Sequence, residues 1–365
     1  MMPEGLTNEQ LLKNISALLE NARNKVVVAV NQTIVLTYFE IGRMIVEDEQ
    51  KGESRAEYGK EQLKFLSKNL TEKFGKGFSE TNLKQMRQFF LSYSICQTLS
   101  DESEISNSEM RSLKPQNKED KFGNQILPYN FNLSWSHYLK LMRIKDPNER
   151  SFYEIESYKN NWSLRELQRQ YDSALYTRLS LSKNKEEILQ LAEKGQIIEK
   201  PKDLIKDPYI LEFLGLPEKP DYSENDLESE LIDKLEHFLL ELGNGFTFVG
   251  RQQRITFEEK HFYIDLVFYN RILKCFVLID LKIGELKHQD IGQMQMYVNY
   301  YDREKRFEDE NKTIGIILCQ DKSEALVQYT LPENNEQIFA SKYFTVLPSK
   351  QDFINLLNSD NGKIS

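Results

Sequence analysis

Two runs of this chain read as buried β-strands, and charge interrupts both. They are Tyr263-Ile-Asp-Leu-Val-Phe-Tyr269, which contains Asp265, and Val277-Leu-Ile-Asp-Leu-Lys282, which contains Asp280 and Lys282. An unpaired carboxylate in apolar surroundings costs several kcal/mol, so such a charge is normally paired or holds a metal. Alternation along a strand sorts the side chains. In the first run Phe262, Ile264, Leu266 and Phe268 are expected on one apolar face, with Asp265 on the other beside Tyr263, Val267 and Tyr269. In the second, Cys275, Val277, Ile279 and Leu281 make an apolar face. Asp280 and Lys282 lie together on its reverse, roughly 6–7 Å apart by strand rise. If these strands are neighbours, one end of a sheet presents two carboxylates and an ammonium, the equipment for holding a divalent cation and activating a water.

A third carboxylate precedes them. Over Asp226–Leu242 the apolar positions Leu227, Leu231, Ile232, Leu235, Phe238, Leu239 and Leu242 follow the spacing of one amphipathic helix. Glu228 falls on its buried side and is expected to face the sheet that carries the two aspartates. A helix from His288 to Tyr301 follows the Asp-x-Lys strand. It places Gln293 and Tyr297 one turn apart on one side, where a Gln can orient a water or contact phosphate and a Tyr can stack or hydrogen-bond.

The order helix-Glu, strand, strand-Asp, strand-Asp-x-Lys, helix-Gln-x-x-x-Tyr resembles the PD-(D/E)XK nuclease core of type II restriction enzymes, junction resolvases and exonuclease domains. The whole chain looks more specifically like the bacterial YhcG-type family, a helical N-terminal domain fused to such a nuclease domain. The segments that carry the likeness are Tyr58–Phe90, Ser134–Leu181 and Leu227–Tyr301, with Phe268-Tyr-Asn270 and Gly292-Gln-Met-Gln-Met-Tyr-Val-Asn-Tyr-Tyr-Asp302 the most specific. The resemblance implies Asp265 and Asp280 as metal ligands, with the Leu281 main-chain carbonyl and with Glu228 as a further or water-bridged ligand. It implies that Lys282 positions hydroxide or steadies charge on the phosphate, that its pKa is lowered beside the metal, and that Gln293 supports it. The metal would be Mg²⁺, with Mn²⁺ as a substitute. Ile264 stands where the motif's proline would be.

Each feature also has a structural reading. Asp-x-Lys alone is commonly a solvated edge-strand pair, Asp265 alone can be a strand-end turn former, and Glu228 can be an ion-pair partner of Arg251 or Arg254. The complete set, in order and on consistent faces, is harder to explain as structure only.

Length and composition set the outer bounds. The 365 residues are enough for two or three domains, and 39% hydrophobic with 29% charged residues fits a globular chain. No window holds the ~20 apolar residues of a membrane span, and the start Met1-Met-Pro-Glu-Gly-Leu-Thr has no basic-then-apolar pattern of a secretory signal. A cytoplasmic protein without membrane contact is expected. Cys96, Cys275 and Cys319 are far apart and read as buried thiols, and His137, His237, His261 and His288 have no zinc spacing. The net charge of −9 argues against nonspecific coating of nucleic acid but permits a local basic face.

Residues 10–95 read as helices: Asn24 to Val46, with Tyr38, Ile41, Gly42 and Ile45 at helical spacing, then Tyr58 to Phe74. Gly75-Lys-Gly77 breaks the pattern, and it restarts at Phe78-Ser-Glu-Thr-Asn-Leu83 with Ser79 as N-cap. That outline is shared by a helix-turn-helix. Its second helix carries Asn82, Lys84, Gln85, Arg87 and Gln88, and Arg55–Phe90 has eight Lys/Arg against four Glu. An ordinary amphipathic hairpin has the same outline. Residues 97–127 are polar and read as a flexible insert. Helical signals return at Leu133–Tyr138 and at the capping box Trp162-Ser-Leu-Arg-Glu166. Arg165 and Arg169 share a face as possible phosphate contacts, although exposed arginines on a helix are usually just solvated.

The expected architecture is α+β and multidomain: a mainly helical domain at 10–196, a Pro-rich connector at 197–226, and a restriction-endonuclease-like α/β domain at 227–350. The last would be a mixed central sheet flanked by helices in the order αβββαβ. The function expected is metal-dependent hydrolysis of DNA phosphodiesters, with Lys84, Arg87, Arg165, Arg169 and Tyr297 as nucleic-acid contacts and a homodimer as a plausible assembly. Two other classes stay open: a nucleic-acid-binding protein that does not cut, and a protein partner in a DNA modification or defence system.

Overall fold

The computed structural model describes residues 8–51, 56–100, 131–181, 183–218, 222–347, 353 and 355. The chain divides into two units, Met1–Gln168 and Arg169–Ser365. Of the insert expected at 97–127, residues 97–100 end a helix, and the rest lies outside the described residues. No helix among those described is long and apolar enough to cross a membrane.

The first unit is built from α1 (Asn8–Lys51), α2 (Ala56–Phe74), α3 (Glu80–Ser100), α4 (Trp135–Leu141), α5 (Pro147–Lys159) and the start of α6 (Leu164–Asp172). α1 buries Val35, Phe39, Ile45 and Val46, while α3 buries Leu83, Met86 and Phe89. Gly42 lets α1 and α3 approach closely, since a Cβ there would run into the Met86 carbonyl. The α2–α3 turn needs its glycines: Gly75 and Gly77 have φ of 83° and 118°. Ser79 then accepts a hydrogen bond from the Asn82 N–H at 3.2 Å, as an N-cap should. Ser163 and Glu166 form the expected capping box at the start of α6.

In the second unit the helices are α7 (Leu175–Ser180), α8 (Lys185–Lys194), α9 (Glu224–Asp233), α10 (Leu235–Leu242), α11 (His288–Glu304) and α12 (Glu324–Thr330). They accompany β1 (Tyr209–Ile210), β2 (Phe246–Phe257), β3 (Lys260–Asn270), β4 (Cys275–Leu281), β5 (Ile314–Cys319) and β6 (Ile338–Phe344). The sheet order is β1-β6-β5-β4-β3-β2. β2, β3 and β4 pair antiparallel, and the remaining pairs are parallel, so the sheet is mixed and helix-flanked in the expected αβββαβ order. Leu227 and Leu231 of α9 pack with Leu266, Phe268, Val277, Ile279 and Leu281. Ile291, Met294, Tyr297 and Val298 of α11 pack with Val267, Leu278 and Ile317 on the opposite face.

Four features depart from the sequence reading. The helix expected over Asp226–Leu242 is two helices, broken where Lys234 leaves helical geometry at φ −115°, ψ 32°. A helix not foreseen from the sequence, α12, stands between β5 and β6. Residues 197–226, expected as a connector, contribute β1 to the sheet edge. The single apolar face expected for Phe262, Ile264, Leu266 and Phe268 is split. Leu266 and Phe268 pack on the α9 side, whereas Ile264 and Phe262 pack on the α11 side. The physical cause is twist. β3 leaves β4 after the Leu266↔Ile279 pair and continues with β2 alone as a two-stranded ribbon, which twists more strongly than a sheet. β2 adds a register shift between Phe248 and Gly250, and Gln252 has a left-handed φ of 47°.

Candidate active site

Asp265 stands where β3 and β4 part. The ladder supplies no main-chain acceptor there, and Asp265 Oδ2 takes its place, accepting the Leu281 N–H at 2.8 Å. Burial pushes its pKa up, against the pull of the Leu281 N–H, Lys282 and Gln252.

Asp280 is 2% exposed at the end of β4. Lys282 Nζ lies 2.8 Å from its Oδ2, but off the line a hydrogen bond needs, so that buried oxygen has an ion-pair partner and no aligned hydrogen bond. Burial, then the charge of Asp265, push Asp280 up to about 7. Lys282 is pulled down by burial, but Asp280, Glu224 and Asp265 outweigh that and its pKa is raised. Three carboxylates surround Lys282 and account for the raise, whereas the lowering expected of it belongs to a site with the cation bound. Glu224, in the first turn of α9, was not singled out from sequence. Its Oε2 lies 3.9 Å from Lys282 Nζ, and its Oε1 accepts the Ile283 N–H at 3.3 Å.

Glu228 arrives from the opposite side of the sheet. The helix that carries it packs on the face away from α11, whereas Asp280, alternating with Ile279 and Leu281, points toward the α11 side. Glu228 faces the sheet that carries the two aspartates, from the side away from Asp280. It meets Asp265 through Gln252, whose Nε2 donates to Glu228 Oε2 and, at 3.2 Å, to Asp265 Oδ1. Burial raises the Glu228 pKa, opposed by the Gln252 bond. Gln252, rather than Arg251 or Arg254, is its hydrogen-bonding partner. The left-handed backbone at Gln252 aims that side chain, a local geometry that strand periodicity does not reveal.

On α11, Gln293 Nε2 donates to the Tyr297 hydroxyl, which in turn donates to the Tyr263 carbonyl at 2.8 Å. Tyr297 is fully buried, so it offers no surface to a nucleic acid, correcting its assignment as a contact. Its role is to anchor the β3 main chain two residues before Asp265. Among the remaining candidates, Lys84 and Arg165 are exposed. Arg87 pairs with Glu49 at 2.6 Å. Arg169 is committed to Glu212 at 2.8 Å and Glu241 at 3.2 Å with 13% of its side chain exposed, which ties structure together instead of offering a phosphate contact.

The donors at the β3–β4 ends are all oxygen, and Asp280 Oδ2, which has no aligned hydrogen bond, is buried beside a second carboxylate. That chemistry fits a hard cation that retains part of its water shell, as Mg²⁺ does. Among the described residues no three carboxylate, imidazole or thiolate groups converge as a ready cage. Asp265 and Asp280 are the residues that would hold such an ion, with water completing its shell.

Comparison with known proteins gives matches to two family models: a "YhcG PDDEXK nuclease domain" over residues 202–358 and a "DUF1016 N-terminal domain" over residues 14–178. The chain is 39% identical over 361 residues to "Putative nuclease YhcG" of Escherichia coli (strain K12), covering 96% of this chain and 94% of that one. Among solved structures, a repair endonuclease from Pyrococcus abyssi matches at 20% identity over 34% of this chain and 50% of its own, with a TM-score of 0.25. A complex of EndoMS with double-stranded DNA matches at 17% identity over 34% of this chain and 49% of its own, with a TM-score of 0.26. The chain spans about half the length of either structure.

Proposed function

This chain belongs to the YhcG family, whose C-terminal domain is a PD-(D/E)XK nuclease domain, and from that premise we propose that it is a divalent-metal-dependent endonuclease acting on DNA. The observation that carries the reading is the meeting of Asp265, Asp280 and Lys282 where β3 and β4 separate. Mg²⁺ is the proposed ion, and Mn²⁺ a substitute. When bound, such an ion lowers the pKa of water and polarises a phosphoryl oxygen.

The chain's own residues account for the rest. Asp265 is oriented by the Leu281 N–H and by Gln252, and Asp280 by Lys282. Lys282, held protonated by its carboxylate neighbours, is a cation suited to steadying the charge that builds on the scissile phosphate. Gln293 and Tyr297 fix the main chain beside Asp265. Glu228 supports from the other side through Gln252. Lys84 and Arg165 are proposed as backbone contacts from the helical unit. Cys275 and Cys319 are buried free thiols, in keeping with a reducing cytoplasm. A homodimer would supply the two sites that cutting both strands requires.

The test is cleavage of linear, circular and branched DNA with Mg²⁺, Mn²⁺ or EDTA by wild type, Asp280→Ala and Lys282→Ala. Metal-dependent products that fall by at least about 10²-fold in both variants are expected. Equal products from all three proteins would sink the assigned site. Absence of cutting by wild type would turn the reading toward a binding or assembly protein.

A further inference from the structure

β2 and β3 run on past the sheet as a ribbon, pairing from Gln253↔Ile264 to Phe257↔Lys260, whereas β3 stops pairing with β4 at Leu266. One face of this ribbon is apolar and spent. Ile255 and Ile264 are buried with Phe262 against α11, and Phe257 makes an edge contact with Tyr300 at 5.7 Å. The other face follows from the cross-strand register. Starting at the site, Gln252 stands beside Asp265, and the rungs beyond are Arg254 with Tyr263 and Thr256 with His261. The hydrogen bond from Gln252 to Asp265 shows that the first pair shares a side, and the contact between Thr256 Oγ1 and His261 Nδ1 at 3.0 Å shows the same for the third. The middle rung, Arg254 and Tyr263, is exposed, with Tyr263 46% accessible.

Three observations decide what this face can take. Among the described residues no carboxylate lies within ion-pair distance of Arg254. The Tyr263 main chain is anchored at its carbonyl by the buried Tyr297 hydroxyl, which fixes the point from which its exposed ring projects. The rung also sits two strand residues from Asp265, about 6–7 Å, comparable with the step from one phosphate to the next along a strand. A second copy of this chain suits the ribbon poorly. β2 is the free edge of the sheet, but its register shift and the left-handed Gln252 break the regular row of main-chain groups that edge pairing needs.

We propose that the outer face of the β2–β3 ribbon is the track for the substrate strand, with Arg254 on the phosphate next to the scissile one and Tyr263 stacked on an unpaired base. This rests on the reading of the neighbouring carboxylates as a nucleic-acid site and adds a substrate class to it. A tyrosine face can stack only on a base that is out of its duplex, so the preferred substrate has unpaired nucleotides beside the cut. The ribbon also answers the charge problem of a chain with net −9, since grip is needed along one strand only.

The experiment titrates the full chain, in EDTA, into a fluorescein-labelled 20-nucleotide single strand and into a blunt hairpin duplex, followed by anisotropy over a range of salt. Arg254→Ala is expected to bind the single strand about tenfold more weakly, with the slope of log K against log salt reduced by about 0.7, the loss of one phosphate contact. Tyr263→Ala is expected to lose about tenfold on the single strand with its salt slope unchanged, and to stay within about twofold of wild type on the duplex. Tyr263→Phe keeps the ring and should bind like wild type. Lys312→Ala, a cation at the opposite end of the parallel strands, should also leave binding unchanged. Wild-type affinity in both Arg254→Ala and Tyr263→Ala overturns the proposal, as does an equal loss by Tyr263→Phe or an equal loss on the duplex. A changed molar mass by light scattering with unchanged affinity overturns it in favour of a subunit interface. Cleavage with Mg²⁺ is read separately. A chain that binds as described but never cuts loses the hydrolytic reading alone, and one that cuts without using Arg254 or Tyr263 loses this inference alone.

Discussion

Asp280 carries a charge problem that the rest of β4 does not share, being buried between Asp265 and Lys282. Burial and the Asp265 charge raise it from an ordinary 3.8 to about 7, so the folded metal-free protein keeps a proton that the unfolded chain has already released. Stability from this group is therefore complete below about pH 4, declines as pH rises toward 7, and is flat above. Asp280→Asn keeps the shape without the charge. It should raise the unfolding free energy in EDTA at pH 8 by on the order of 2 kcal/mol, seen as a higher Tm, and leave both unchanged near pH 4, while abolishing cleavage. An equal Tm difference at both pH values would contradict the assignment. Charges inside apolar strands are legible in a sequence because they violate the pattern around them, which is why Asp265, Asp280 and Lys282 could be singled out. Gln252 breaks no pattern. Its role comes from a left-handed backbone and from two carboxylates on different elements, so nothing in the string of residues marks it. The tyrosines fail for a related reason: helical spacing puts Tyr297 beside Gln293 but does not say that Tyr297 is buried and Tyr263 exposed.

Periodicity carries element type well and element contacts poorly. Gly42 was readable as one position on the apolar stripe of α1, together with Tyr38, Ile41 and Ile45. That it is the point of closest approach to α3 emerges only with both helices in place, where any Cβ would meet the Met86 carbonyl and then Phe90 Cβ. The obstacle includes main chain, which cannot rotate away as a side chain can. Gly42→Ala should therefore destabilise the first unit by about 1–3 kcal/mol despite the better helix propensity of alanine. Thermal unfolding by circular dichroism reads this directly, and a Tm at or above wild type would show that the helices separate without cost. The same limit explains the ribbon. Alternation predicts one apolar face across Phe262, Ile264, Leu266 and Phe268, but the face turns over where β3 loses β4 as a partner, and only pairing shows where that happens.

At the scale of the whole molecule, one buried carboxylate gathers the first residues of the second unit. Glu241 at the end of α10 has no exposed side-chain surface. Burial would raise its pKa, but Arg178, Lys206 and Arg169 overcome that and hold it at about 2. Arg178 Nη1 lies 2.7 Å from Oε1, Arg169 Nη1 lies 3.2 Å from Oε2, and the Ile210 N–H donates to Oε1 at 3.0 Å. Arg169 and Arg178 were grouped by sequence with the helical domain, taken to run to residue 196, yet both sit in the unit that begins at Arg169. A boundary before Arg169 makes these arginines part of the nuclease-like unit, and that is the proposal here. Two units with separate cores should give two calorimetric transitions. Removing one partner of a buried ion pair strands the other, at a cost of about 3–5 kcal/mol, whereas replacing both can be nearly neutral. Arg178→Ala should accordingly lower the transition of the nuclease-like unit by that amount and leave the helical transition in place. The two can be told apart because Gly42→Ala moves the other one. For Glu241 the sign with pH is opposite to that of Asp280: a lowered carboxylate stabilises above its unfolded value of 4.5 and loses that contribution as pH falls toward 2. The Arg178→Ala deficit should thus be largest at neutral pH and shrink in acid. A shift of the helical transition instead would put the boundary near residue 196, with Arg178 serving the first unit.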